Sequence, residues 1–100
     1  MVTDVAELVV LATAKALPGR EDDLERALRD VGGPTREQPG CLQWELFRSA
    51  HDPGMMTAIE WWASEADHER HLQGVHVKTL LSRFDGILAA PPEIVAMTPL

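Results

Sequence analysis

The chain is expected to fold as a single α+β domain, and three observations point there. Strand-forming and helix-forming segments follow one another as β-α-β-β-α-β. Strong turn signals separate the segments. A length of 100 residues suits one domain and is too short for two.

Residues Glu7 to Ala16 (ELVVLATAKA) are rich in β-branched and small apolar side chains and read as the first strand. Pro18-Gly19 breaks it and prepares a helix start. Leu24, Ala27, Leu28 and Val31 then recur at helical spacing, while Arg20, Glu21, Asp22, Glu25 and Arg29 fill the opposite face. Gly32-Gly33-Pro34 is expected to stop or bend this helix, with a short continuation to Glu37. Pro39-Gly40 is a turn. Cys41 to Ser49 reads as the second strand, with Leu42, Trp44 and Leu46 alternating against Cys41, Gln43, Glu45 and Phe47. His51-Asp52-Pro53-Gly54 is a turn, so Met55 to Trp62 returns as the third strand of a hairpin. Ser64 is placed as an N-cap, with Glu65 and Asp67 in the first turn. That short helix runs to about Gln73, and a second piece after Gly74 carries Val77, Leu80, Leu81 and Phe84. Pro91-Pro92 ends the region, and Glu93 to Thr98 is the last strand.

This order is the split βαβ, or ferredoxin-like, plan: a four-stranded antiparallel sheet with the helices on one face. Both faces of the strands are apolar, however. The first strand carries Leu8, Val10, Ala12 and Ala14 on one side and Val9, Leu11 and Thr13 on the other. The hairpin sets Phe47, Met55, Ile59 and Trp61 against Met56, Ala58 and Trp62. A sheet with one wet face alternates more cleanly. The second face is therefore expected to pack on the same face of another copy, as a homodimer forming a dimeric α+β barrel.

Composition excludes several function classes. Sixteen acidic against nine basic side chains give a net charge of −7, and the sequence carries no Lys/Arg run. Binding to nucleic acid or to an anionic membrane surface is not expected. Without long-range steering for an anion, a neutral or weakly acidic ligand fits better. The single cysteine, Cys41, cannot form an internal disulfide. Asp4 and Glu7 stand where a leader peptide would be basic and then apolar, and no apolar run reaches the length of a membrane span. A soluble, cytoplasmic protein is expected.

The segment Glu60 to Lys78 (EWWASEADHERHLQGVHVK) concentrates the groups that could do chemistry. Along the strand, Glu60 and Trp62 share a face and Trp61 takes the other. With Trp62 toward the helices, His71 and His76 can reach the same interlayer space. Trp62 is then either a ring-stacking wall or simply core. Glu60 suits an ion pair or a backbone hydrogen bond. His71 is either a functional imidazole or a satisfied helix histidine, and His76 could instead cap a helix. His68 and His71 around Glu69 have i, i+3 spacing and lack an evident third metal ligand, unlike the i, i+4 pair of metalloproteases.

Together with Pro18-Gly19, Pro39-Gly40-Cys41-Leu42, Glu60-x-Trp62 and His71-Leu72-x-x-x-His76-x-Lys78, this stretch resembles the antibiotic biosynthesis monooxygenase (ABM) family. That family contains small dimeric ferredoxin-like proteins, including quinol oxygenases and haem-degrading enzymes. The resemblance implies oxidation of a small phenolic, anthrone or quinol-type aromatic by molecular oxygen, without metal or flavin. It places His71 as the base, Trp62 as the ring wall and His76 as a secondary hydrogen-bonding partner. Met56, Ala58, Glu60, Leu80 and Phe84 would line the substrate pocket. Histidine suits the base because its unperturbed pKa is roughly 6.5. Other members of the family use an Asn and a Tyr, and this sequence contains neither. Haem-degrading members need an Asn in the first strand and a later His. The Asn does not exist here, and Leu80 or Leu81 stands at the His position.

Two other functions use the same residues: isomerisation or cyclisation of a small carbonyl compound by proton transfer, and non-catalytic binding of small aromatics. An interlayer closed by Met56, Leu80 and Phe84 would favour a structural role.

Overall fold

A computed structural model of the chain describes residues 5–100, so Asp4 of the leader reading lies outside the described residues. Strand β1 (Leu8–Lys15) leads through a turn at Gly19, where φ is +85°, into helix α1 (Glu21–Arg36). Strands β2 (Cys41–Arg48) and β3 (Met55–Trp62) form the hairpin. Helices α2 (Glu65–Leu72) and α3 (Val75–Arg83) follow, divided at Gly74, and β4 (Glu93–Met97) closes the order. All pairings are antiparallel and the strand order is β2-β3-β1-β4. This is the ferredoxin-like α+β fold, with the second helical segment in two pieces.

Leu8, Val10, Ala14, Met56, Ala58 and Trp62 are buried on one face of the sheet. Ala14 and Met56 cluster with Leu24 and Leu28 of α1, and Leu80 and Phe84 pack against the same cluster. Val31, Trp44 and Ala58 form a neighbouring cluster, and Leu8, Val10 and Trp62 a third. The other face of the sheet carries Val9, Leu11, Ile59 and Trp61 half-buried, with Phe47 51% exposed.

Two sequence expectations are corrected. Helix α1 does not stop at Gly32-Gly33-Pro34; the continuation expected as far as Glu37 is regular helix to Arg36, with Glu37 as its C-cap. Pro34 removes one bond from the helix ladder and crowds the Asp30 carbonyl, in the last turn of the helix. Gly32 admits Trp44: a Cβ at this position would lie 2.6 Å from Trp44 Cζ3. Thr35, fully buried, returns its hydroxyl to the Val31 carbonyl at 2.6 Å. The second correction is in β2. The register shifts between Cys41, opposite Trp62, and Gln43, opposite Trp61, so Leu42 is the extra residue of a β-bulge. Cys41 therefore faces inward beside Trp62, on the same side as Trp44, instead of outward with Gln43.

Candidate functional site

Helix α2 brings the imidazoles to the sheet. Its start is set by Ser64, whose Oγ accepts from Asp67 N at 3.2 Å. Ser64 Oγ also donates to Asp67 Oδ2 at 2.9 Å, and Arg70 Nη1 donates to Oδ1 at 2.8 Å. Arg70 and Ser64 hold the Asp67 carboxyl below its usual range. Gly40 touches the same cap. Its φ is +87°, and a Cβ there would lie 2.2 Å from Asp67 Cγ. Gly40→Ala is therefore expected to cost about 2 kcal/mol or more, from left-handed backbone strain plus displacement of the cap. Urea unfolding measures this, and His68 and His71 should become more accessible in the variant.

From this cap, α2 places His68 and His71 three residues apart, both buried against Trp62. Trp62 itself is 0% exposed. The Trp62 ring centroid lies 4.9 Å from that of His71 and 5.7 Å from that of His68, and the two imidazoles are 6.2 Å apart. Glu60 lies on the same face of β3, where its Oε1 accepts the Trp62 indole N–H at 2.9 Å. Burial pushes the Glu60 carboxyl up, while the indoles of Trp62 and Trp44 favour its anion. Glu60 thus orients the Trp62 ring.

His71 is 5% exposed, and burial, with smaller contributions from His68 and His76, pushes its pKa down to about 4. Burial lowers His68 as well, against Glu69 and Glu65. His71 is therefore neutral at pH 7. Its Nδ1 hydrogen-bonds Gln38 Oε1, just beyond α1. An amide oxygen only accepts, so Nδ1 carries the proton and Nε2 keeps a lone pair. The arrangement holds a neutral, oriented imidazole against an indole face, where Nε2 can accept a proton.

The expected site residues part company here. Trp62, His71 and Glu60 come together as one cluster. His76 does not join it: it is exposed on α3 and lines shallow surface hollows against α1. Val77, at the next position, is buried instead and turns the His76 side of α3 outward. The partner that His76 was expected to provide is Gln38. Met56 and Ala58 are buried, and Leu80 and Phe84 pack over the Met56 cluster, so the expected pocket lining is core in this closed arrangement. A base poised near neutral pH is also not what burial produces. His68 and Gln38 were missed as site members. The i, i+3 spacing of His68 and His71 carried the first signal, while nothing local marks Gln38. Among the described residues, no three His, Cys, Asp or Glu side chains converge as metal donors.

Fold and cluster together define a small ferredoxin-like domain with an aromatic–imidazole centre between sheet and helices. The sequence model of the antibiotic biosynthesis monooxygenase family matches residues 7–83, and the chain belongs to this family. Similar solved structures include PA3566 from Pseudomonas aeruginosa, 31% identical, with 99% of each chain covered and a TM-score of 0.88. Rv0793 from Mycobacterium tuberculosis is 25% identical over 93% of this chain and 94% of its own, with a TM-score of 0.87. A further crystal structure, described as an antibiotic biosynthesis monooxygenase, is 27% identical over 93% of this chain and 98% of its own, with a TM-score of 0.86. Among curated proteins, the uncharacterized protein sll1783 of Synechocystis is 22% identical over 87 residues, and the matched region spans 59% of that protein's length.

Proposed function

We propose that this protein is a monooxygenase that oxidises a small phenolic, anthrone or quinol-type aromatic with molecular oxygen, without metal or flavin, at the Trp62–His71 cluster. The observation that carries this reading is the His71 imidazole, oriented by Gln38 and held 4.9 Å from the Trp62 ring at a tilt of 34°. His71 Nε2 would take the substrate's acidic proton, and Trp62 would hold the substrate ring by stacking. With an anthrone, the resulting carbanion attacks oxygen. One oxygen atom stays as the new carbonyl, and the other leaves as water with the two hydrogens of that carbon. The substrate carbon supplies all four electrons that reduce the two oxygen atoms.

Magnitudes constrain this reading. Moving a proton from a phenol of pKa ~10 to an imidazole of pKa about 4 is uphill by about 8 kcal/mol. The closed cluster is therefore the resting form. Substrate must part α2 and α3 from the sheet, which readmits solvent and brings its own anion beside His71, and both changes raise the His71 pKa.

The test is oxygen uptake with hydroquinones, naphthols and anthrones, using wild type and His71→Gln. Uptake above the spontaneous rate is expected, falling about 100-fold or more in the variant. Equal rates in the two proteins would remove His71 from the chemistry. Turnover that persists under nitrogen would assign proton-transfer isomerisation or cyclisation instead. One observation favours a second reading, a non-catalytic binder of small aromatics: the interlayer is filled by Met56, Leu80 and Phe84. Saturable binding without turnover would establish it.

The apolar outer face, with Leu11, Ile59, Trp61 and Phe47, supports a homodimer built on sheet-to-sheet packing. Ile59→Lys is expected to halve the mass measured by light scattering, because it would leave a charge in that interface. An unchanged mass would place the interface elsewhere.

A further inference from the structure

A groove of about 370 Å³ runs along the open edge of β2 beside α1, away from the Trp62–His71 stack. It is built from segments far apart in sequence. Arg29 and Arg36, two helical turns apart on α1, line it with Arg48 from the end of β2. Leu46 borders it half-buried, Trp44 and Met56 lie buried beneath, Phe47 adjoins it from the outer face of β2, and Glu25 and Glu45 complete the rim. Three guanidinium groups face two carboxylates, so the groove carries a local positive excess on a chain of net charge −7.

The cations are not equally engaged. Glu25 pairs with both Arg29, at 2.7 Å, and Arg48. Arg36 has no carboxylate partner among the described residues. Its Nε donates to the Trp44 carbonyl at 3.1 Å, and its guanidinium carbon stands 5.1 Å from the Trp44 ring centroid. The rest of its planar fork is open to a ligand. That bond to the Trp44 carbonyl also gives the orientation of the strand edge. In an antiparallel strand, residues two apart turn their backbone groups to the same side. Because β2 is an edge strand among the described residues, the Leu46 N–H faces the groove side and not β3.

We propose that this groove binds a small aromatic carboxylate. The carboxylate lies between the open fork of Arg36, the remaining donors of Arg48 and the Leu46 N–H. The ring lies against Leu46, the half-buried apolar side chain of the lining. The volume falls within the range of small-molecule sites. Planar bidentate recognition is the chemistry for which a guanidinium is built. A neutral phenol leaves the Arg36 fork unanswered, so the groove discriminates against the substrate class proposed for the interlayer cluster. The site stands whether or not that cluster oxidises anything.

The experiment is a calorimetric titration of the full chain with 1-naphthoate, with 1-naphthol in parallel, joined to proton–nitrogen correlation spectra. One saturable naphthoate site is expected, with shifts at the Leu46 amide and at Arg36 Nε–H. Arg36→Gln should weaken binding about tenfold or more, and Arg36→Lys should recover part of the loss. The spectra of the wild-type protein read the site even if a variant folds poorly. Absence of saturable naphthoate binding would overturn the proposal. So would equal affinity in Arg36→Gln, equal affinity for naphthol, or shifts centred on the Trp62 indole and α2.

Discussion

Trp62→Ala is expected to destabilise the protein by about 3–5 kcal/mol, the range for truncating a buried aromatic in a core. Three losses meet at this position. The ring is fully buried, so the cavity cannot drain into a surface dent. The Glu60 carboxylate loses the indole N–H that it accepts at 2.9 Å, a bond to a buried charged group worth about 1–3 kcal/mol, and is left with the Trp44 indole alone. His68 and His71 lose the surface they stack on. Trp62→Phe keeps an aromatic contact but loses the hydrogen bond and the volume of the second ring, so a smaller loss of about 2–3 kcal/mol is expected. Urea unfolding of both variants at pH 7 measures the difference. A loss below about 1 kcal/mol in Trp62→Ala would mean that the helices of this layer contribute little to global stability.

Acidification is expected to weaken the fold through His71. Its folded pKa of about 4 lies below the unfolded value, so the unfolded chain binds the proton first. Stability from this residue is fully present above pH ~6.5 and is lost as pH falls toward about 4, where the loss levels off. At 1.36 kcal/mol per unit, the full loss is about 3 kcal/mol. His68 adds in the same direction, its pKa being lowered as well. Glu60 acts with the opposite sign: its raised pKa gives stability at low pH that is lost as pH climbs through its folded value. Glu25, Asp52 and Asp67 are held low by Arg29, Lys15 and Arg70, and their contributions fade only below the usual carboxylate range. These pairs are solvent-exposed and screened, so they leave the window above pH ~4.5 to the histidines and, opposing them, Glu60. Urea midpoints from pH 7 to pH 4.5 should fall steeply in wild type and more gently in His71→Gln. Parallel curves would mean that His71 is hydrated in the folded protein.

The same shift ties stability to the proposed chemistry. A base silenced by burial becomes useful only when the layer opens, and opening also admits the protons that weaken the fold. Substrates able to part α2 and α3 from the sheet should therefore raise the His71 pKa and protect it less from exchange.

Much of this was legible in the residues. Alternation placed Glu60 and Trp62 on one face, Ser64 announced α2, and Gly74 divided the second helical segment, because each rests on local backbone preference and period. The failures share a different character. Gly32-Gly33-Pro34 reads as a helix stop, yet the helix runs through it, and Gly32 makes room for Trp44 from the neighbouring strand. The bulge at Leu42 reversed Cys41, since register depends on the partner strand. His76 was expected inward and turned outward when Val77 took the buried position of α3.

By itself, then, the sequence determined the order of elements, the two apolar sheet faces and the presence of an indole and imidazoles near one end of the sheet. Only the tertiary structure decided that Gln38 meets His71, that His68 joins the stack and that burial leaves His71 neutral. It alone assembled Arg29, Arg36 and Arg48 along one strand edge, in a sequence with no basic run. The physical reason is common to all of these. Propensity and period act over neighbouring residues, whereas desolvation, hydrogen-bond pairing and charge clustering depend on side chains that folding brings together from distant parts of the chain.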